Sequence, residues 1–399
     1  MEPDNADTHD GMSYAVASFD AMTDLADPWP KYRDLLAAGG VTCPMPGVVV
    51  AGSRRAVDDV LGNAGVFSAE GLVQLGNIRP LIPLSIDPPL HIKYRKLLDP
   101  LFAPRRMEAM EEDITGRVNH FIDAFVDRGE CHFTDEFAVP FPSAVFLGLM
   151  GLPWEELDTF LRLKNGILRP GGDLADVDER QRIQNETGQE IYAYFDAILD
   201  DRQAHPQEDI LTHFLTSEID GDKLTREDIL DICFLFLIAG LDTVTDSLTC
   251  FYAYLAQHPD AQRQLAANPS LVPSAVEELL RWETPVPTVF RQAKQDAEVA
   301  GCPVRAGDIV SVFLGPANID PAEFDRADEV ILDREVNRHL TFGGGVHRCL
   351  GSHLARRELR ITLREWHRRI PEYELKPGIE LHYPVGLREV ENLELVWKV

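Results

Sequence analysis

Residues 342–351 read Phe-Gly-Gly-Gly-Val-His-Arg-Cys-Leu-Gly, and they are the most informative part of the sequence. Three consecutive glycines let the backbone pack closely against a flat or bulky group. Cys349 lies just before a predicted helix, whose free amides and positive end would lower the pKa of the thiol and hold a thiolate. A thiolate in this position serves as a nucleophile or as a metal ligand. The alternative is a buried cysteine beside a glycine-rich turn.

Two other kinds of site fit this stretch poorly. A zinc site needs several clustered ligands, and although His347 and His353 are near Cys349, no second cysteine is. A dinucleotide-binding loop needs the spacing Gly-x-Gly-x-x-Gly after a strand, which is absent here.

The composition sets limits on the class of protein. The chain has 399 residues, of which 45% are hydrophobic and 26% charged, a composition typical of a soluble globular protein with a large core. Its 38 Lys and Arg against 66 Asp and Glu give a formal charge of −28, which argues against broad nucleic-acid binding. The longest apolar run, residues 233–241, is far shorter than the roughly 20 residues that span a bilayer. The acidic start of the chain is no signal peptide. We therefore expect a cytoplasmic monomer with no membrane or nucleic-acid partner.

The cysteines show neither a Cys-x-x-Cys pair nor the spacing of a disulfide framework, so we expect reduced thiols. They are Cys43, Cys131, Cys233, Cys250, Cys302 and Cys349.

Helical periodicity dominates the chain. We predict a strand at residues 48–51, a long loop at 66–86, and period-two strands at 299–300 and 309–314 around a glycine-containing turn. Predicted helices are 54–61 after a Ser53 cap, one begun by Asp87-Pro88, and 105–127, 155–165, 178–203, 226–258, 273–282 and 350–369. No linker divides the chain, so we expect a flexible tail over residues 1–30 and a single domain over 31–399, mainly α with a smaller β region.

Together with three further motifs, the stretch at 342–351 resembles the haem-binding loop of cytochrome P450. The second motif is Glu278-Leu-Leu-Arg281 with the later Arg334, which alone would be an ordinary helix ion pair. The third is Ala239-Gly-Leu-Asp-Thr243, and the fourth is Asp87-Pro-Pro-Leu-His-Ile-Lys-Tyr-Arg95. Their order and spacing agree with the family from about residue 80 to the end of the chain. The third motif and His-Leu-Ala-Arg-Arg-Glu358 are similar to the bacterial camphor-hydroxylase type.

The resemblance implies the P450 fold, with haem b between a long central helix and the helix that follows the cysteine loop. Cys349 would be the axial thiolate of the haem iron, and Phe342 would pack near that face of the haem. The haem propionates need cationic partners, which the resemblance assigns to His91, Arg95, Arg291 and His347. Glu278, Arg281 and Arg334 would form a structural triad.

The resemblance also implies the oxygen chemistry. Thr243 would hydrogen-bond the activated oxygen, and Asp242 would help to relay protons from solvent. Without the resemblance, this pair reads equally well as a buried kink in the helix. Because the pair is intact, it argues against the peroxide-using branch of the family.

The expected pocket is apolar, which favours a lipophilic substrate held by shape. Arg79 occupies about the place where camphor-type enzymes use a tyrosine, so it faces either a substrate carboxylate or solvent. The residues expected to line the pocket are Leu235, Ile238, Ala239, Val289 and Leu387.

The sequence therefore predicts a haem-thiolate monooxygenase that inserts one oxygen atom from O₂ into a small lipophilic molecule. A terpenoid or branched lipid is the first guess, with a fatty acid or a steroid behind it. Electrons would come from an iron–sulfur ferredoxin and its reductase, because the chain has no flavin or nicotinamide domain. The alternatives are a P450-fold haem enzyme with other chemistry, and a haem-based binding or sensor protein.

Overall fold

The computed structural model describes residues 24–170, 177–240, 242–384 and 386–399. Helices dominate these residues, so the predicted mainly α fold with a smaller β region is confirmed. None of the helices found there is both long and apolar enough to cross a membrane. The helices are α1 (Trp29–Ala37), α2 (Arg54–Leu61), α3 (Leu90–Leu98), α4 (Pro104–Glu108), α5 (Glu111–Asp123), α6 (Pro140–Met150), α7 (Leu157–Leu168), α8 (Val177–Ala204), α9 (Ile210–Thr216), α10 (Arg226–Ala239), α11 (Asp242–Gln257), α12 (Pro259–Ala267), α13 (Val272–Glu283), α14 (Leu314–Asn318) and α15 (Ser352–Arg369).

The strands form small sheets beside the helices. They are β1 (Val41–Met45), β2 (Val48–Ala51), β3 (Phe67–Ser68), β4 (Glu130–His132), β5 (Glu218–Ile219), β6 (Asp222–Lys223), β7 (Thr288–Ala293), β8 (Ala297–Val299), β9 (Cys302–Val304), β10 (Ile309–Phe313), β11 (Glu374–Leu375) and β12 (Glu394–Val396). The largest sheet has the order β1-β2-β10-β7-β3, in which β10 runs parallel to β2 and antiparallel to β7. A three-stranded sheet has the order β11-β12-β4, and β5–β6 and β8–β9 are separate hairpins.

The predicted pairing around residue 300 was wrong. The segment 309–314 does not pair with 299–300, because Ala300 and Gly301 form the turn of the β8–β9 hairpin. Strand β10 instead lies in the centre of the large sheet, and all five of its residues are buried there. Strand β7 was not predicted, since its residues alternate no more clearly than those of a loop.

The predicted helix over residues 226–258 is divided in two. Its start is as predicted, because Thr225 and Asp228 form a capping box in which each side chain accepts from the other residue's backbone amide, at 3.1 and 2.9 Å. Helix α10 ends at Ala239, and α11 begins at Asp242 after the junction at Gly240. A Cβ on Gly240 would lie 2.8 Å from the ring of Phe146, so close packing requires glycine at this junction.

Two predicted boundaries also differ. The Asp87 carboxylate does not cap a helix, since it accepts from the Ala69 amide at 3.1 Å and pairs with Lys294 at 3.1 Å, and α3 begins only at Leu90.

Most of the predicted tail, residues 1–23, lies outside the described residues. Its last part is packed, because Leu25 is buried and the ring of Trp29 stacks on that of Trp282 with centroids 4.7 Å apart.

Helices α10 and α11 lie in the core. Every residue from Ile229 to Ile238 is buried, which is the behaviour of a helix that is apolar on all sides. Helix α15 packs against α5, α11 and α13. The fold thereby brings the α10–α11 junction and the loop that precedes α15 to the same internal cavity.

Candidate haem site

The cysteine loop has a conformation that only its glycines permit. Gly343 and Gly345 have left-handed φ angles of 66° and 62°. A Cβ on Gly345 would lie 1.9 Å from the carbonyl oxygen of Leu61, so this residue also lets the loop pack directly on the end of α2. The Cys349 amide donates to the Phe342 carbonyl at 2.8 Å, which closes the loop just before α15.

A cavity of about 470 Å³ lies against this loop. Its wall is mainly apolar and includes Cys349, Phe342 and Thr243. Three of the predicted substrate contacts, Leu235, Ala239 and Val289, also line it. The first two are spaced four residues apart on α10, and Thr243 continues that spacing across the junction with α11.

Two of the predicted substrate contacts, Ile238 and Leu387, are not among the described residues that line the cavity. Ile238 lies one position off the face formed by Leu235 and Ala239 and is buried in the helical core. Leu387 precedes Arg388, whose amide donates to the Pro285 carbonyl at 2.8 Å and whose side chain makes a buried ion pair with Glu283. The segment is therefore fixed by Arg388, and Leu387 stays partly exposed.

The pKa of the Cys349 thiol is raised, which differs from the expectation of a lowered value. Cys349 is exposed to the cavity, but the protein around it desolvates the thiol and raises its pKa, and this effect outweighs the Gly351 amide and the charges of Arg95, Arg348 and Arg356, which lower it. The amide at the helix end therefore lowers the pKa of Cys349, as predicted, but not enough to offset the loss of hydration. Replacement of the proton by a metal cation would supply the missing stabilisation of the thiolate.

The four predicted propionate contacts meet at one side of the cavity, whose wall includes His91, Arg95, Arg291 and His347. The rings of His91 and His347 lie 4.2 Å apart, and both ring nitrogens of His91 and Nε2 of His347 have no hydrogen-bond partner among the described residues. Arg95 Nη1 donates to the Arg348 carbonyl at 2.8 Å, which joins α3 to the cysteine loop.

Arg95 on this side of the cavity pairs with Asp99 at 2.6 Å, whereas Arg291 has no ion-pair partner among the described residues. Burial, together with Arg95, lowers the pKa of His91 to about 4, and burial with Arg291 lowers that of His347 to about 3. Burial lowers the pKa of Arg291 to about 10, and Asp87 opposes this only partly. A desolvated arginine without an ion-pair partner, such as Arg291, together with histidine nitrogens that lack hydrogen-bond partners, fits an anionic ligand. The two carboxylates of haem fit this side, and its iron fits the Cys349 thiol, so the described residues match the group that the sequence predicts.

Phe342 lies in the cavity wall beside the cysteine loop, as predicted. The guanidinium of Arg356 lies over its ring, 4.2 Å from the centroid, which fixes the ring orientation.

Asp242 is not the free, solvent-facing carboxylate that a simple relay suggests. The Lys164 ammonium donates to its Oδ1 at 2.6 Å, and Arg169 lies 3.4 Å from its Oδ2. The side chains of Lys164 and Asp242 are 0% and 4% exposed. Thr243 does face the cavity, and its hydroxyl donates to the Ala239 carbonyl at a long 3.4 Å, which leaves it able to change partner.

Two more acids belong to this buried group, and sequence reasoning missed them. Arg169 also pairs with Glu389, and Asp246 lies one turn beyond Asp242 with no hydrogen-bond partner for either carboxylate oxygen within the described residues. Burial, Glu389 and Asp242 together raise the pKa of Asp246 well above its usual value, which favours its protonated form. Three carboxyl groups thus share the two cations Lys164 and Arg169.

The signal for Lys164 was present in the sequence. It lies between Phe160, Leu163 and Ile167 on the buried face of α7, where a lysine without a partner would be costly. Glu358 was quoted only as part of a motif. It lines the cavity from α15, burial raises its pKa well above the usual value, and its Oε2 has no partner among the residues described.

Arg79 neither lines the cavity nor stays free in solvent. It pairs with Asp231 of α10 at 2.9 Å and lies over the ring of Tyr192, whose hydroxyl donates to the same carboxylate at 3.0 Å. The sequence did not foresee Asp231 as its partner, and the Arg79 side chain remains 32% exposed.

The predicted triad is assembled at the far end of α13. Arg281 Nη2 donates to Glu278 Oε1 at 2.8 Å, and Arg334 Nε donates to Glu278 Oε2 at 2.9 Å. Although burial alone would raise the pKa of Glu278, these arginines lower it overall. The triad fixes the irregular segment that leads to the cysteine loop.

Known proteins are similar to this chain in sequence and in fold. The family model described as Cytochrome P450 matches residues 162–369. The chain is 38% identical to a probable cytochrome P450, named 127A1, of Sinorhizobium fredii, over 85% of this chain and 80% of that protein. It is 32% identical to a steroid C26-monooxygenase of Mycobacterium tuberculosis, over 86% of each. A crystal structure of P450BioI in complex with an acyl carrier protein ligated to hexadec-9Z-enoic acid matches with a TM-score of 0.86 at 28% identity, covering 94% of this chain and 99% of that one.

Proposed function

Because the chain belongs to the cytochrome P450 family, we propose that it is a ferredoxin-dependent monooxygenase of a neutral, lipophilic small molecule. The family membership carries the haem b cofactor and the oxidoreductase class. The lipophilic substrate is supported by the cavity, which brings together the Cys349 thiol, a side formed by two arginines and two histidines, and an apolar wall.

When it is bound, haem supplies an iron whose cysteine thiolate ligand favours cleavage of the O–O bond of dioxygen. The residues of this chain provide its setting. Cys349 is the ligand, and Arg95, Arg291, His91 and His347 bind the two propionates with charge-assisted hydrogen bonds. The apolar wall excludes water from the reaction, which strengthens the electrostatic interactions inside.

The proton needed for oxygen cleavage comes from the distal side of the cavity. Thr243 offers a hydroxyl that can leave the Ala239 carbonyl and donate into the cavity. Asp242 is paired with Lys164 and Arg169, and Asp246, whose raised pKa favours the protonated form, lies one turn away. We therefore assign the proton supply to this whole buried group, with Thr243 as its donor to the cavity.

The cavity favours a neutral substrate. Among the described lining residues the arginines are Arg95 and Arg291, which face the propionates, and Arg79 is already paired with Asp231. A free fatty-acid carboxylate would therefore find no cation, whereas a terpenoid, branched lipid or steroid needs none. The similarity to a steroid C26-monooxygenase supports a branched lipid or steroid.

Electrons would enter beneath the haem. Lys96, Arg105, Arg106 and Arg348 are exposed and have no ion-pair partner among the described residues. They lie in α3, in α4 and in the cysteine loop, so they add a local basic surface to a strongly acidic chain. An acidic ferredoxin fits this surface. Lys93, which we also expected there, is instead paired with Asp220 at 2.8 Å.

The test begins with the ferric protein and a panel of terpenoids, steroids and fatty acids, scored by the shift of the haem absorption band. Each ligand is then supplied with O₂, NAD(P)H, a ferredoxin and its reductase. Oxygen consumed in equal amount to hydroxylated product supports a monooxygenase. Product formed with added peroxide alone would favour a P450-fold haem enzyme that does not act as an O₂-dependent monooxygenase. Ligand binding without turnover would favour a binding or sensor protein.

A further inference from the structure

Two cysteines that are far apart in sequence meet at the protein surface. Cys43 is in β1 and Cys302 begins β9, 259 positions later, and their Sγ atoms are 3.2 Å apart. Cys43 is exposed and Cys302 partly exposed. Either thiol can donate a hydrogen bond to the other. The pair is outside the cavity wall and has no part in the proposed monooxygenase reaction.

Both cysteines are held by backbone structure of their own. The pairing of β1 with β2 is irregular between Thr42 and Met45, and an irregularity of this kind turns a side chain away from its regular direction. Cys302 closes a two-residue turn in which Ala300 and Gly301 both have left-handed φ angles, of 47° and 91°. The Ala300 amide donates to Asp59 of α2 at 3.2 Å, which ties this hairpin to the body of the protein.

The other cysteines have no such arrangement. Cys131, Cys233 and Cys250 are buried, burial raises the pKa of each, and the described residues place no second cysteine in contact with them. Cys349 is reserved for the haem. The surface pair is thus accessible to small oxidants and provides a resolving thiol beside the thiol that is attacked, two features of cysteines that oxidise reversibly.

We propose that Cys43 and Cys302 form an oxidisable dithiol, which closes an intramolecular disulfide when hydrogen peroxide reaches it. In the first step the Cys43 sulfur attacks one peroxide oxygen, the O–O bond breaks, and the leaving hydroxide takes the Cys43 thiol proton to give water and a Cys43 sulfenic acid. In the second step the Cys302 sulfur attacks the Cys43 sulfur. The S–O bond breaks, and the departing hydroxide takes the Cys302 proton to give a second water. Two thiols are oxidised by two electrons, and one peroxide is reduced.

The order of attack follows from the surroundings. Cys43 is the more exposed, so peroxide reaches it first. Burial and the hydrogen bond with Cys43 raise the pKa of Cys302 to about 11, so Cys302 remains a thiol until the sulfenic acid forms beside it. Since an S–S bond is about 2.05 Å long, the two sulfur atoms must approach by only about 1 Å.

The disulfide would have a structural effect. It would join an edge strand of the large sheet to the hairpin that follows β7, the strand that carries Val289 and Arg291. It would also close a very long loop, which restricts the unfolded chain. We therefore expect the oxidised protein to unfold at a higher denaturant concentration, with its haem spectrum unchanged.

The experiment uses the haem-loaded protein, treated with hydrogen peroxide at a concentration that leaves the haem absorption band intact. Non-reducing peptide mapping by mass spectrometry should find one linked peptide pair, Cys43 with Cys302, which dithiothreitol separates. The midpoint of denaturant unfolding should rise on oxidation and return on reduction. In Cys302→Ser, Cys43 should stop as a sulfenic acid that dimedone traps, and the midpoint should not change.

The matched control is Cys131→Ser, which leaves the surface pair intact and should still form the linked peptide. Cys43→Ser should form none. The proposal is overturned if wild-type Cys43 proceeds to sulfinic acid without a linked peptide. It is overturned equally if the disulfide joins two molecules, or if Cys43 and Cys302 stay reduced after peroxide treatment.

Discussion

The buried pair of Lys164 and Asp242 offers the sharpest test of the site. Replacing Lys164 with Met removes one of two cations from a group that contains Asp242, Asp246 and Glu389, and leaves only Arg169 to compensate their charge. The Lys164 and Asp242 side chains are 0% and 4% exposed, so water cannot replace the lost partner. Loss of one member of a buried pair costs about 3–5 kcal/mol of unfolding free energy.

Denaturant unfolding of the ferric protein, followed by the haem band, measures this cost. The matched control is Lys93→Met, because Lys93 and Asp220 form a pair of similar length, 2.8 Å, in which the side chains are 43% and 56% exposed. That variant should unfold almost as the wild type does. Adding Asp242→Asn to Lys164→Met removes the orphaned charge, so the double variant should be more stable than Lys164→Met alone. Equal stability of the two lysine variants would refute the reasoning.

The remaining predictions concern the haem and its surroundings. Cys349→Ala should abolish the red-shifted carbonyl band of the ferrous protein and all oxygen insertion, and a normal thiolate spectrum would end the haem-ligand assignment. Thr243→Ala should keep haem and substrate affinity, while the product formed per NAD(P)H falls and the peroxide released rises. If each NAD(P)H still gave one product, Thr243 would have only a structural role in the kink between the helices. Lys96→Glu and Arg106→Glu should each slow ferredoxin-supported reduction in a salt-dependent way without changing reduction by dithionite; salt-independent transfer would contradict this. Because its arginine partners lower the pKa of Glu278, its stabilising contribution is present above its unfolded pKa of about 4.3 and is lost as pH falls through its lower folded pKa. The denaturant midpoint of unfolding should therefore decrease as the pH is lowered from about 5 to about 3, and a midpoint that does not change with pH would contradict the triad's role.

The local geometry around Cys349 could be read from the sequence, whereas its assignment to haem rested on the resemblance to the P450 family. Gly343 and Gly345 need left-handed backbone, and Cys349 precedes the helix that begins at Ser352. The same holds for Glu278 and Arg281, three residues apart on one helix, which the sequence pairs without knowledge of any other element. The mainly α class was equally available, since helical periodicity is local.

The sequence indicated a kink near Thr243, but it did not predict that the helix is divided there or which strands pair. The helix predicted over 226–258 is divided because Gly240 must pass beside Phe146, a residue nearly a hundred positions earlier. Strand β10 finds its partners in β2 and β7 rather than in its neighbour in sequence, because strand pairing is decided by the tertiary arrangement. A one-position offset on α10 likewise separates Ile238 from the cavity that Leu235 lines.

By itself, the sequence determined that a cysteine precedes a helix and that Gly240 and Thr243 interrupt a long apolar helix; the resemblance to the P450 family assigned these residues, and the cations for two carboxylates, to haem chemistry. Only the tertiary structure decided which charges are compensated. Asp242 and Lys164 are 78 positions apart, and Arg169 reaches Glu389 across 220 positions. The tertiary structure also brings Cys43 and Cys302 into contact, through the irregular pairing of β1 and the turn at Ala300 and Gly301. Charge compensation and thiol contact act over a few ångströms in space, and the distance along the chain carries no information about them.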